Sequence, residues 1–321
     1  IEIGTQATFA NKQKVMNPFA ENKLVDVVSL KHLIVGKSYI LRTKLVEFGN
    51  AENVIKTFDT PFVANQANQT MTVPTTVDGT KLRGKKVTFM ETLLDGEVPT
   101  HVWADHSNPT DEGQSVRITN PEIGTKAQFS NGLKKMNPFK ENVIDDVIAY
   151  KDVVPNREYR VVTKLVEFGN AKNVIHTSET KFTPTTANGE YKVTIKVDGT
   201  KLRGKKVVFL EYLYDAEKPT EEQAKHENPK DEGQSVEVSN PQIGTKAQFS
   251  NGLKKMNPFK ENVIDDVIAY KDVVPNREYR VVTKLVEFGN AKNVIHTSET
   301  KFTPTTANGE YKVTIKVDGT K

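Results

Sequence analysis

The sequence contains no cysteine, so neither a disulfide nor a thiolate metal site holds any part of it together. No apolar run approaches the roughly 20 residues that a membrane-crossing helix needs, and Ile1 does not open a signal peptide. The chain therefore reads as an internal segment or mature fragment with no membrane insertion. A dominant charge is missing too: 45 Lys and Arg face 41 Asp and Glu, with the signs interspersed. The densest basic run, Lys81 to Lys86, has no aromatic residues between its charges. It reads as a solvated hairpin tip and argues against nucleic-acid binding. No segment carries a helical period. What remains, at 36% hydrophobic and 27% charged residues, is an ordinary globular composition long enough for two or three domains.

What is present is repetition. Gly4–Thr5, Gly124–Thr125 and Gly244–Thr245 recur every 120 residues, and residues 121–201 and 241–321 differ only at Glu122 versus Gln242. The units run 1–120, 121–240 and 241–321. Each reads as short alternating segments rich in β-branched residues and punctuated by turns. In the first unit they fall near 3–9, 24–30, 38–47, 53–58, 70–77, 86–94 and 114–118. Seven short strands per unit predict an all-β chain of tandem immunoglobulin-like β-sandwiches. The joints Thr119–Asn120–Pro121 and Ser239–Asn240–Pro241 are short and contain proline, which predicts a semi-rigid, rod-like array. The third unit ends at the position of Lys201 and so lacks its last two predicted strands. That leaves apolar edges and low stability of its own. Such an edge could accept a strand donated by another molecule; an excised or cleaved piece is the plainer reading.

Alternation along the strands places polar residues on faces that ought to be apolar. Glu91 shares a face with Val87, Phe89 and Leu93, and Glu211 with Val207, Phe209 and Leu213. Thr5 lies with Ile3, Ala7 and Phe9, and Thr125 likewise with Ile123, Ala127 and Phe129. Asp26 and Asp146 fall among Leu24, Val28 and Ile144, Ile148; Gln114 and Gln234 precede Val116 and Val236. A lone inward Thr is ordinary, but inward Asp, Glu and Gln are not. Left unpaired, such groups cost about 1–3 kcal/mol each, so a single cluster in each unit is expected. Of six histidines, only His106 and His226 hold a common repeat position, each eight residues before the Gln. His32, His101, His176 and His296 are expected on the surface.

Thr, His, Asp, Glu and Gln form a chemical set. A Thr hydroxyl becomes nucleophilic when a base takes its proton, and a His oriented by a carboxylate is the usual base. Burial keeps a Glu neutral, so that it can donate to and polarise a carboxamide carbonyl. In an immunoglobulin-like sandwich the first and last strands can lie side by side, so Thr5 and Gln114 could touch. Attack of Thr5 on the Gln114 side chain would expel ammonia and leave an ester between the two strands.

The motifs Gly-Thr-x-Ala, Asp-x-Val (Asp146–Ile148 in the second unit), Val-x-Phe-x-Glu and His-x7-Gln within DEGQSV resemble the ester-bonded immunoglobulin-like (VaFE-type) repeats. Those repeats belong to Gram-positive cell-wall-anchored adhesins. The resemblance spans both complete units and the front of the third. It implies autocatalytic crosslinks Thr5–Gln114 and Thr125–Gln234, promoted by Asp26, Glu91 and His106 and by Asp146, Glu211 and His226. Only Thr245 and Asp266 remain of a third, incomplete site. It further implies a stalk segment on the surface of a Gram-positive cell, with adjacent repeats as neighbours and host ligand bound by another domain. No cofactor or metal is called for.

Two other readings compete with it. A Lys–Asn isopeptide needs both residues inward, whereas Lys126 and Asn120 fall on outward and linker positions. A binding module would keep the cluster as a buried polar network only. A turnover enzyme fits worst, since nucleophile and acceptor both belong to the chain.

Overall fold

The computed structural model describes residues 1–321 and is all-β, with only three one-turn 3-10 helices. Repeat 1 comprises β1 (Glu2–Phe9), β2 (Val15–Met16), β3 (Asn22–Lys31), β4 (Ser38–Glu47), β5 (Asn50–Val63), β6 (Gln69–Val77), β7 (Lys86–Asp95), β8 (Val102–His106) and β9 (Ser115–Ile118). Repeat 2 follows with β10 (Glu122–Phe129), β11 (Lys135–Met136), β12 (Asn142–Lys151), β13 (Tyr159–Glu167) and β14 (Asn170–Phe182). Its remaining strands are β15 (Gly189–Val197), β16 (Lys206–Asp215), β17 (Lys218–His226) and β18 (Ser235–Val238). Repeat 3 has β19 (Gln242–Phe249), β20 (Asn262–Lys271), β21 (Tyr279–Glu287), β22 (Asn290–Phe302) and β23 (Gly309–Val317).

Each complete repeat is a sandwich of two sheets, and the chain is a tandem of immunoglobulin-like sandwiches. In repeat 1 a three-stranded sheet, β1-β3-β6, faces the sheet β2-β9-β7-β4-β5, with β8 added to β7. Pairing is antiparallel except between β2 and β9. Alternation set the inner faces as expected. Leu24, Val28 and Leu30 of β3 meet Leu41, Leu45, Val87, Phe89 and Leu93 of the opposite sheet, all fully buried. Repeat 2 buries a matching core around Tyr159, Phe209 and Leu213.

The structure departs from the sequence reading in four places. β8 and β17 were not expected, because VWADH and KPTEEQAKH carry no apolar alternation. β7 is buried on both faces, and on the outer one Thr88 bonds to Ser115 and Pro109. The first and last strands lie in different sheets rather than as hydrogen-bonded neighbours, so a bond between them would close the sandwich edge. The Lys81–Lys86 run is no hairpin tip: Gly79–Leu82 forms a 3-10 turn, and the Arg83 guanidinium donates to the Gln223 carbonyl of repeat 2 at 2.8 Å.

Repeat 3 keeps β19-β20-β23 as one sheet, while β21 and β22 stand as an isolated hairpin. Val282 and Ile295 are half exposed and Phe288 is fully so.

Candidate functional site

In repeat 1 the five singled-out residues converge at one edge of the sandwich. Register places Asp26 of β3 opposite Ala7 of β1, two residues along from Thr5 on the same face. β7 presents Glu91 from the other sheet, directly opposite His106 of β8 and Thr43 of β4. Gln114 is not inside the last strand. It ends the 3-10 turn Glu112–Gln114, immediately before β9, and its side chain is fully buried. From there the Gln114 carboxamide donates to the Thr5 hydroxyl, across 109 residues of sequence.

The carboxyl pair sets the electrostatics. Asp26 and Glu91 are both 0% exposed and lie beside each other and the Thr5 hydroxyl, with none of their four oxygens hydrogen-bonded to a protein donor. As two carboxylates they would have no donor between them, and two adjacent buried charges are prohibitive. One shared proton resolves both problems. Burial first, and then the Asp26 charge, push the Glu91 carboxyl far above its usual range. Burial also raises Asp26, although the neighbouring Glu91, Thr5 and His106 oppose the rise. Glu91 therefore holds the proton near neutral pH. Repeat 2 follows the same logic: burial raises Asp146 and, more strongly, Glu211.

Several members of the site were missed from sequence. Asp111 engages two groups at once: its Oδ2 lies 3.0 Å from His106 Nε2, and its Oδ1 accepts the Gly113 N–H at 2.8 Å. One carboxylate thus orients the histidine and caps the turn that carries Gln114. Asp231 repeats this with His226 at 2.9 Å and Gly233 at 2.8 Å. Both aspartates are held below the usual range, His being the main favourable partner. They stand in the DEGQ motif, but in a turn, where no periodicity flags them. Lys14 donates to the Gly113 and Ser115 carbonyls at 2.7 and 3.1 Å, and Lys134 to those of Gly233 and Ser235 at 2.9 and 2.8 Å. Each lysine clamps the Gln-bearing turn from the far end of its repeat. Thr163 sits opposite Glu211 in the register, as Thr43 does opposite Glu91, and both threonines are buried.

In repeat 2 the Thr125 hydroxyl and both polar atoms of the Gln234 side chain are buried without a hydrogen-bond partner. A cavity of about 440 Å³ opens beside Thr125 and His226. In repeat 3, Asp266 pairs with Ala247 in the same register, but Thr245 is exposed and no Glu, His or Gln counterpart faces it. The remaining histidines stay outside: His32 and His101 are exposed, His176 and His296 half exposed. Lys126 is exposed and Asn120 sits in the joint, its N–H bonded to Asp152 at 2.7 Å, so neither joins the cluster. No group of His, Asp and Glu has metal-binding geometry.

Among solved structures, the chain is similar to a bacterial adhesin from Mobiluncus mulieris containing intramolecular disulfide, isopeptide and ester bond cross-links. In one crystal form the identity is 16% and the TM-score 0.34, covering 78% of this chain and 87% of that one. In a second form the figures are 14% and 0.33, covering 98% and 97%. A putative β-galactosidase from Bacteroides fragilis gives 11% and 0.28, covering 67% and 32%. A comparison with curated proteins returned no match. The model of the T-Q ester bond containing domain matches three times, over residues 1–118, 121–238 and 241–321. Nearly the whole chain is accounted for, and it belongs to the T-Q ester bond containing domain family.

Proposed function

We propose that repeats 1 and 2 each crosslink themselves through an ester, Thr5–Gln114 and Thr125–Gln234. The chain then serves as a mechanically reinforced stalk segment of a bacterial surface adhesin. The observation that carries this reading is the contact of the Gln114 carboxamide with the Thr5 hydroxyl, beside the fully buried carboxyl pair Asp26 and Glu91.

The chemistry balances as an acyl transfer. The Thr5 oxygen attacks the side-chain carbonyl carbon of Gln114, the carbon–nitrogen bond breaks, and the amide nitrogen leaves as ammonia. The Asp26 carboxylate, which lies beside the Thr5 hydroxyl, takes the hydroxyl proton. Neutral Glu91 stabilises the charge that develops on the carbonyl oxygen. His106, fixed by Asp111, passes a proton to the departing nitrogen. In repeat 2 the partnerless Thr125 hydroxyl and Gln234 carboxamide are consumed by the same bond, which removes an unsatisfied-group cost of about 1–3 kcal/mol each. Each site acts once and is not a turnover enzyme. Repeat 3 has the nucleophile without an acceptor and contributes no crosslink within this chain.

Peptide mapping tests the assignment. Digestion of the folded protein should yield the segments holding Thr5 and Gln114 as one branched peptide, and those holding Thr125 and Gln234 as another. Recovery of four linear, unmodified peptides would sink the proposal. A branch joining a lysine to an asparagine would replace it with the isopeptide.

A further inference from the structure

The joint between repeats is built like a plug and a socket. The plug is the turn Asn17–Pro18–Phe19. Asn22 holds it in shape, accepting the Phe19 N–H at 2.9 Å and donating to the Asn17 carbonyl at 2.9 Å. Gly79 packs so closely on Asn22 that a Cβ there would lie 1.8 Å from its Oδ1. The socket belongs to repeat 2. Asn17 Oδ1 accepts from the Tyr159 hydroxyl at 2.7 Å, and Asn17 Nδ2 donates to Asp215 Oδ2 at 2.7 Å. Arg157 pairs with Asp215, and its guanidinium stacks 5.7 Å from the Phe19 ring centroid. Asn17, Tyr159 and Asp215 are all 0% exposed. Below them Asp152 binds the Arg117 guanidinium through two bonds of 2.7 and 2.8 Å and accepts the Asn120 N–H.

The second joint repeats the design with half a socket. Asn137 Oδ1 accepts from Tyr279 at 2.7 Å, Arg277 lies over Phe139 at 5.3 Å, and Asp272 accepts the Asn240 N–H at 2.6 Å. Repeat 3 has no counterpart of Asp215 or of residues 217–223, and Phe139 is 42% exposed where Phe19 is 5%.

Repeat 1 carries the same socket position in a different state. Its Asp95 Oδ2 accepts from Trp103 Nε1 at 3.1 Å and from Lys37 at 2.7 Å, so the indole stands where the Asn17 amide stands in repeat 2. The Trp103 ring packs on Tyr39 and under Lys37. Gln223 is its counterpart in repeat 2, and His32 replaces the joint aspartate Asp152.

We propose that the Asn-Pro-Phe turn and the Tyr–Arg–Asp socket are a recognition pair that sets the angle between successive repeats, and that Trp103 closes the repeat 1 socket to any such turn. Tyr, Arg and Asp with Gln at the position of Gln223 accept a preceding copy; a Trp there satisfies the aspartate internally and refuses it. Relative motion is the default for domains that share only a small interface, and the buried Asn17 network converts this joint to a fixed one.

The cysteine-free chain permits clean spin labelling. One label pair, Glu52→Cys with Thr185→Cys, spans the first joint; a second, Lys172→Cys with Thr305→Cys, spans the second. All four positions are exposed. Pulsed electron–electron distance distributions are measured on the full chain, with an unchanged circular dichroism spectrum as the fold control. The parent should give a narrow first distribution. Asn17→Ala and Gln223→Trp should each broaden it and leave the second as it was, while Asn137→Ala should act on the second alone. A first distribution equally narrow in Asn17→Ala would overturn the recognition pair. One broadened by Asn17→Ala but untouched by Gln223→Trp would overturn the role of Trp103.

Discussion

At the scale of single residues, the site depends on where one proton sits. Glu91 and Asp26 share it because the two cannot both be charged side by side in an apolar core. A carboxyl whose folded pKa is raised adds stability that is fully present below its unfolded pKa, near 4.3 for Glu. That stability is lost as pH rises toward the raised folded value. In a chain locked open by Thr5→Ala and Thr125→Ala, stability to denaturant should therefore fall with rising pH. Adding Glu91→Gln and Glu211→Gln should flatten the slope by up to about 1.4 kcal/mol per pH unit for each repeat's proton. A slope that survives both substitutions would place the proton elsewhere. Asp111 is the other sensitive residue, since it holds His106 and caps the turn of Gln114. Asp111→Asn should slow crosslinking of repeat 1 many-fold without touching repeat 2, as followed by the mass of freshly folded protein. Thr5, Asp26 and Glu91 were legible in the sequence because strand parity exposes a polar residue in an apolar row. Asp111 and Lys14 were not. One sits in a turn, and the other finds its carbonyl partners about a hundred residues away, so neither leaves a periodic trace.

At the scale of elements, strands with apolar alternation could be placed from sequence, and β8 and β17 could not. Their backbone bonds to β7 and β16 do what side-chain pattern does elsewhere. Repeats 2 and 3 make a controlled comparison of what neighbours contribute. Residues 159–182 and 279–302 are identical in sequence and form the same hairpin. Only the first lies against a third strand, β16, and over a closed core. Isolated two-stranded hairpins are marginal in water. Backbone amides of β21 and β22 should exchange with solvent many-fold faster than those of β13 and β14, and limited proteolysis should cut repeat 3 first. Equal protection in the two hairpins would mean that repeat 3 is completed by contacts other than those within this chain.

At the scale of the molecule, the proposed crosslink would tie the beginning of a repeat to its end. Closing a loop of 109 residues is worth roughly 4–5 kcal/mol by the reasoning that applies to disulfides. A pull along the chain would load the ester and leave the sheets unstrained, so the crosslinked repeats should show no unfolding step under force. Thr5→Ala should restore one step, with an extension equal to that of repeat 1. The most direct test of the whole account is the intact mass of the purified chain. Each ester expels one ammonia, about 17 Da, because the amide nitrogen is the leaving group. The parent should be lighter than its sequence by about twice that, and Thr5→Ala and Thr125→Ala should each restore one share. A parent of full mass, or a deficit that survives both substitutions, would contradict it.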